Sequence, residues 1–171
     1  MALLDTIDPN GLDEFSVVFT DRSLNHMSAD FQKVMCDISS MLREVYCADG
    51  VAVIPGGGSY AMEAVARQFA RDADQLVVRN GWFSFRWSQI FEAAGFGGTT
   101  TVMKARQTGN DPQAPFAPAP IEDVVAKIHE VRPSIVFAPH VETSAGVMLS
   151  DAYISALAAA AHEVDALMVL D

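Results

Sequence analysis

The apolar positions of this chain change rhythm near residue 50, and that change carries most of the expected fold. Between residues 28 and 47 the apolar side chains Phe31, Val34, Met35, Ile38, Met41, Leu42 and Val45 recur at intervals of three and four. That spacing sets them on one face of an amphipathic helix. Ser28 is its expected N-cap. Beyond Asp49-Gly50, short apolar runs alternate with longer helical patterns. Strands are expected at residues 51–54, 75–78, 99–103, 134–138 and 166–170, and helices at 59–72, 83–94, 121–131 and 150–164. Strands alternating with such helices predict an α/β fold, a mostly parallel sheet flanked by helices. The stretch 107–120 carries four prolines and reads as a surface loop. Residues 1–22 read as an irregular N-terminal arm, and residues 23–171 as part of one larger domain.

Composition narrows the class. The formal net charge of -11 argues against nucleic acid or an anionic membrane as partner. No apolar run approaches the roughly 18 residues needed to cross a bilayer. The first residues carry acids and no basic stretch, unlike a secretory signal. A soluble, cytoplasmic protein is the expectation. Cys36 and Cys47 fall on one helix about three turns apart, too far to bridge. Reduced, partly buried thiols are expected. His26, His129, His140 and His162 are scattered, and no metal-ligand spacing is present.

Four segments can carry chemistry. Pro55-Gly56-Gly57-Gly58-Ser59 follows an expected strand and opens a helix. Its glycines bare the backbone N–H groups, and the helix N-terminus adds positive potential, so it suits a phosphate. A ligand-free strand-to-helix turn has the same look. Gly56, Gly58 and Ala61 also satisfy a dinucleotide pattern, G-x-G-x-x-A, but Arg79 and Asn80 stand where that pattern expects an acid. The second segment runs from Asn80 to Trp87 and holds Trp82, Phe83, Phe85 and Trp87. One of these rings can cover a flat cofactor, and at least two are expected in the core. The third is the polar loop His140-Val141-Glu142-Thr143-Ser144-Ala145-Gly146. The fourth is Asp171, behind an apolar strand. Ligands of open α/β sheets bind at such carboxyl ends.

The order of these four motifs resembles the class V aminotransferases of pyridoxal-phosphate fold type I. The likeness is to the alanine–glyoxylate and serine–pyruvate enzymes, and it runs from Asn25-His26-Met27-Ser28 to Asp171. The resemblance implies roles by position. Gly57, Gly58 and Ser59 would cradle the cofactor phosphate, with Gly57 standing where the family often has Ser. Phe83 would stack on the pyridine ring, its neighbour Trp82 being the other choice. Thr143 would bond the cofactor near its phenolic oxygen, with Glu142 as a support. Asp171 would be the catalytic acid that pairs with the pyridine nitrogen. The Schiff-base lysine of the family comes after this acid. Lys33, Lys104 and Lys127 do not occupy its place, so this segment alone is expected to be inactive. The implied activity moves an amino group from a small amino acid, of alanine or serine type, to a 2-oxo acid, of glyoxylate or pyruvate type. A homodimer is implied too. An NADP-dependent oxidoreductase using the glycine turn and Arg79, or a non-catalytic truncated homologue, stays open on the residues alone. A cysteine desulfurase would place histidine where Phe83 stands.

Overall fold

A computed structural model of the chain describes residues 14–15, 22–23 and 26–171. Most of the expected N-terminal arm lies outside the described residues. The chain divides into two compact units, residues 1–54 and 55–171.

In the first unit, β1 (Glu14–Phe15) pairs antiparallel with β2 (Arg22–Ser23). The helix α1 spans Ala29–Tyr46. Ser28 caps it as expected, its hydroxyl accepting from the Phe31 backbone N–H at 3.1 Å. Cys47 ends it in a left-handed conformation with φ 48°. Both cysteines are free and exposed, which corrects the expectation of partial burial. The reason is that α1 buries no residue of its own in the structure. Residues 51–54 form no strand, because an apolar run becomes one only where a neighbouring strand takes its backbone hydrogen bonds.

The second unit holds α2 (Gly58–Phe69), β3 (Gln75–Arg79), α3 (Trp82–Ala94) and β4 (Thr100–Lys104). A short ribbon follows, β5 (Arg106–Gln107) with β6 (Phe116–Ala117). Then come α4 (Ile121–Val131), β7 (Ile135–Ala138), the hairpin of β8 (Val141–Glu142) and β9 (Val147–Met148), α5 (Asp151–Glu163) and β10 (Leu167–Leu170). The two ribbons fall where loops were expected. Two paired residues per strand leave no periodicity to read.

The strands β10-β7-β3-β4 form one parallel sheet in that order. Side-chain alternation divides its core in two. Leu76, Val78, Val136 and Ala138 pack against Val124 and Ile128 of α4 and Leu157, Ala160 and Ala161 of α5. Val77, Ile135 and Phe137 pack on the other face, against Met62 and Ala66 of α2 and Trp87, Ile90 and Phe91 of α3. The expected parallel α/β architecture is therefore present, with helices on both faces. The apolar run of β10 reads as a buried strand, but β10 is an edge strand of the described sheet, and Leu167 and Leu170 at its ends are exposed.

Topology fixes where a ligand belongs. The chain leaves β3 toward β4 but leaves β7 toward β10, on the opposite side. The helices that follow, α3 and α5, lie on opposite faces of the sheet. A crevice therefore opens at the carboxyl ends of β3 and β7.

Candidate functional site

The glycine turn leads into the site. Gly56 has φ 139°, and a Cβ there would lie 2.8 Å from the Tyr60 ring, so only glycine suits the position. Gly57 is the N-cap of α2, its carbonyl accepting from Tyr60 N at 2.9 Å. No acidic residue occupies the first turn of α2, so the positive end of the helix stays uncompensated.

The second wall is held by a buried carboxylate. Glu142 is completely buried. It accepts from the backbone N–H of Phe83 at 3.1 Å and of Ser84 at 2.9 Å. The Ser84 hydroxyl donates to it at 2.5 Å, and the Ser144 hydroxyl donates to its other oxygen. Ser144 in turn accepts from Trp82 N at 2.8 Å. The first turn of α3 is thus tied to the loop after β7 through one acid. Burial alone would raise the Glu142 carboxyl. The bonds from Ser144, Ser84 and the two amides outweigh that and hold it below the usual range.

Gly81 makes this approach possible. A Cβ there would meet Ser144 Oγ at 2.6 Å and Glu142 Cγ and Cδ at 2.7 Å. A Gly81→Ala variant is expected to lose about 1–3 kcal/mol of stability by overpacking. Urea unfolding measures this, and a loss below 0.5 kcal/mol, the ordinary surface range, would contradict the tight junction.

Between these walls and the end of β10 lies a cleft of about 300 Å³. Gly58, Ser59, Met62, Phe83, Val141, Thr143 and Asp171 line it. Five of the six residues that the resemblance sets directly against the cofactor meet there. The sixth, Gly57, sits one position back at the helix cap. Phe83 is in the cleft wall and Trp82 is not, its ring lying 5.9 Å from that of Phe85. Trp87 is core, with its ring centroid 4.4 Å from that of Phe137. Among the described residues the Thr143 hydroxyl has no partner. Asp171 is exposed as a residue, yet loss of water around its carboxyl, and then the Glu142 charge, raise it above the usual carboxylate value. A cation beside it would relieve both effects.

Two polar residues of α3 beside the cleft carried no assigned role in the sequence. Ser84 is one; its position three residues after Gly81 at a helix start was the available signal. Its oxygen also accepts from Asn80 N and Gly81 N. Arg86 is the other, and its guanidinium donates to the Ser59 hydroxyl. Arg79 lies over the Phe85 ring at 4.9 Å and does not line the cleft. None of Lys33, Lys104 and Lys127 lines it either. Lys33 pairs with Asp37 and Lys127 with Glu130. The described residues contain no cluster suited to a metal ion and no helix long and apolar enough to cross a membrane.

The same arrangement of elements occurs in known aminotransferases. The chain is similar to ureidoglycine–glyoxylate aminotransferase from Bacillus subtilis, with TM-score 0.65 and 24% identity over 83% of this chain and 34% of that one. It is similar to alanine–glyoxylate aminotransferase from Nostoc sp., with TM-score 0.63 and 22% identity over 85% and 36% of the two chains. It is also similar to a PLP-bound C-S lyase from Staphylococcus hominis, with TM-score 0.52 and 13% identity over 67% and 28%. The chain spans about a third of the length of the two aminotransferases. No family model matches the sequence, and no curated protein does. The likeness to glyoxylate aminotransferases drawn from the four motifs thus extends to the fold.

Proposed function

We propose that this chain is the cofactor-holding part of a pyridoxal-phosphate-dependent aminotransferase. The observation that carries the reading is the single cleft shared by Gly58, Ser59, Phe83, Thr143 and Asp171. Its donor set suits a flat ligand with an anion at one end and a protonated nitrogen elsewhere on its ring. The α2 N-terminus and the Ser59 hydroxyl bind the phosphate. The Phe83 ring covers one face of the heterocycle and keeps water off it. The Thr143 hydroxyl orients the ring through its phenolic oxygen. Asp171 holds a proton on the ring nitrogen, and that cation answers the unfavourable field at the Asp171 carboxyl. When bound, the cofactor supplies an electron sink for the pair released as the substrate Cα loses its proton.

The group that moves that proton, and the lysine that holds the cofactor covalently, are expected outside residues 1–171. The substrates we propose are a small amino acid of alanine or serine type and a 2-oxo acid of glyoxylate or pyruvate type. The working assembly we propose is a cytoplasmic homodimer. Incubation with pyridoxal phosphate, alanine or serine, and glyoxylate tests this by the glycine formed. The protein carrying this chain together with its lysine should form glycine. The 171-residue chain should not. Turnover by a polypeptide shown by mass to end at Asp171 would contradict the assignment of the missing lysine.

A further inference from the structure

The geometry points to Arg86 as a positioning residue for the phosphate end of the cleft, acting through the Ser59 hydroxyl. This inference rests on the cofactor reading above and assigns a role to a side chain that reading leaves out.

Arg86 stands three residues after Phe83, so both project from one face of α3. Phe83 reaches the cleft, while Arg86 reaches across to α2 and donates a hydrogen bond to Ser59 Oγ. Ser59 lines the cleft itself, at the second position of α2. A serine hydroxyl has one proton and two lone pairs. With a lone pair engaged by the guanidinium, its proton is left to be donated elsewhere, and the open direction is the cleft. The cation also polarises the O–H bond, which strengthens donation to an anion.

Arg86 is well suited to this task. It is half-buried, and among the described residues no carboxylate pairs with it. The nearest acid on the facing helix is Glu63, which lines the same groove as Arg86. Glu63 is engaged by Arg67, through Nε at 2.8 Å. The Arg86 charge is therefore not cancelled by an ion pair, and it adds to the positive end of α2 beside it. An aliphatic or amide side chain at position 86 would leave Ser59 free to turn its proton away from the cleft.

The test compares pyridoxal 5'-phosphate with pyridoxal, which lacks the phosphate, as equilibrium ligands of the full chain. The wild-type chain should prefer the phosphorylated form. Arg86→Gln should weaken pyridoxal phosphate roughly tenfold, the scale of one charge-assisted hydrogen bond, and change pyridoxal less than about twofold. Ser59→Ala should do the same. The double variant should be no weaker than the weaker single variant, because one residue acts through the other. Arg86→Lys, which keeps the charge, should recover part of the preference and guards against a folding defect in Arg86→Gln. Equal losses for both ligands, or additive losses in the double variant, would overturn the role of Arg86 while leaving the cofactor reading standing. A wild-type chain that does not distinguish the two ligands would overturn the phosphate site, and this inference with it.

Discussion

Replacing Glu142 with alanine should lower stability by about 3 kcal/mol, since it strands two backbone amides and two hydroxyls in a buried place. For a chain of this size that corresponds to a thermal midpoint lower by about 6–12 °C. Glutamine keeps the volume and one acceptor oxygen, but it turns an NH2 group toward donors, so it should recover only part of the loss. The pH dependence has a definite sign. The folded carboxyl sits below its unfolded value, so its stabilisation is fully present above the ordinary carboxylate range. It is lost as pH falls through the folded value. Glu142→Gln should therefore flatten the acid limb of the stability curve. Circular dichroism melts between pH 7 and pH 3 measure both effects. An unchanged midpoint at pH 7, or an acid limb steeper in the variant, would contradict the role of Glu142 as the tie between α3 and the loop after β7.

The second large effect is expected at Asp171. Asparagine there keeps the shape but removes the charge that, in the proposed function, would hold a proton on the cofactor's ring nitrogen. The pairing lost is a charge-assisted hydrogen bond, about 1.5–3 kcal/mol, so pyridoxal phosphate should bind roughly ten- to a hundredfold more weakly. Again the sign in pH is fixed. Asp171 in the free chain is raised by loss of water and by Glu142, so it takes up a proton at a higher pH than an ordinary carboxylate. Wild-type affinity should then be full above that value and should fall as pH drops through it. The asparagine variant should show no such limb. Affinity curves for wild type and Asp171→Asn that run parallel across the acid range would remove Asp171 from the site.

Much of the fold was legible in the sequence because the rhythm of its apolar positions is clean. The helix over residues 121–131 emerges with those bounds, marked by Glu122 and Asp123 in its first turn. The sheet was legible because Leu76, Val77, Val78 and Ile135, Val136, Phe137 are short unbroken apolar runs between helices. Residues 51–54 offered a similar run and made no strand, since pairing depends on a neighbour that local sequence does not supply. The exposure of Leu167 and Leu170 has the same origin. Their pattern is that of a buried strand, while their environment is set by the order of strands in the sheet.

The site was legible in its parts and not in its joints. Glycines before a helix, an aromatic turn and a strand-ending acid each announce themselves locally. The four bonds that converge on Glu142 do not, because three of them cross 58 or 59 positions of sequence. The Arg86–Ser59 bond spans 27 positions. Which of Phe83 and Trp82 lines the cleft also needed the third dimension, since adjacent residues of a helix point about 100° apart and only the fold decides which meets the cleft.

In the proposed function this cleft takes pyridoxal phosphate and not a dinucleotide. Titration of the full chain with pyridoxal phosphate, and with NADP in parallel, separates the two, with cofactor absorbance and protein fluorescence as readouts. Saturable binding of pyridoxal phosphate that Asp171→Asn weakens, and no binding of NADP, is the expected result. Saturable binding of NADP without affinity for pyridoxal phosphate would contradict it.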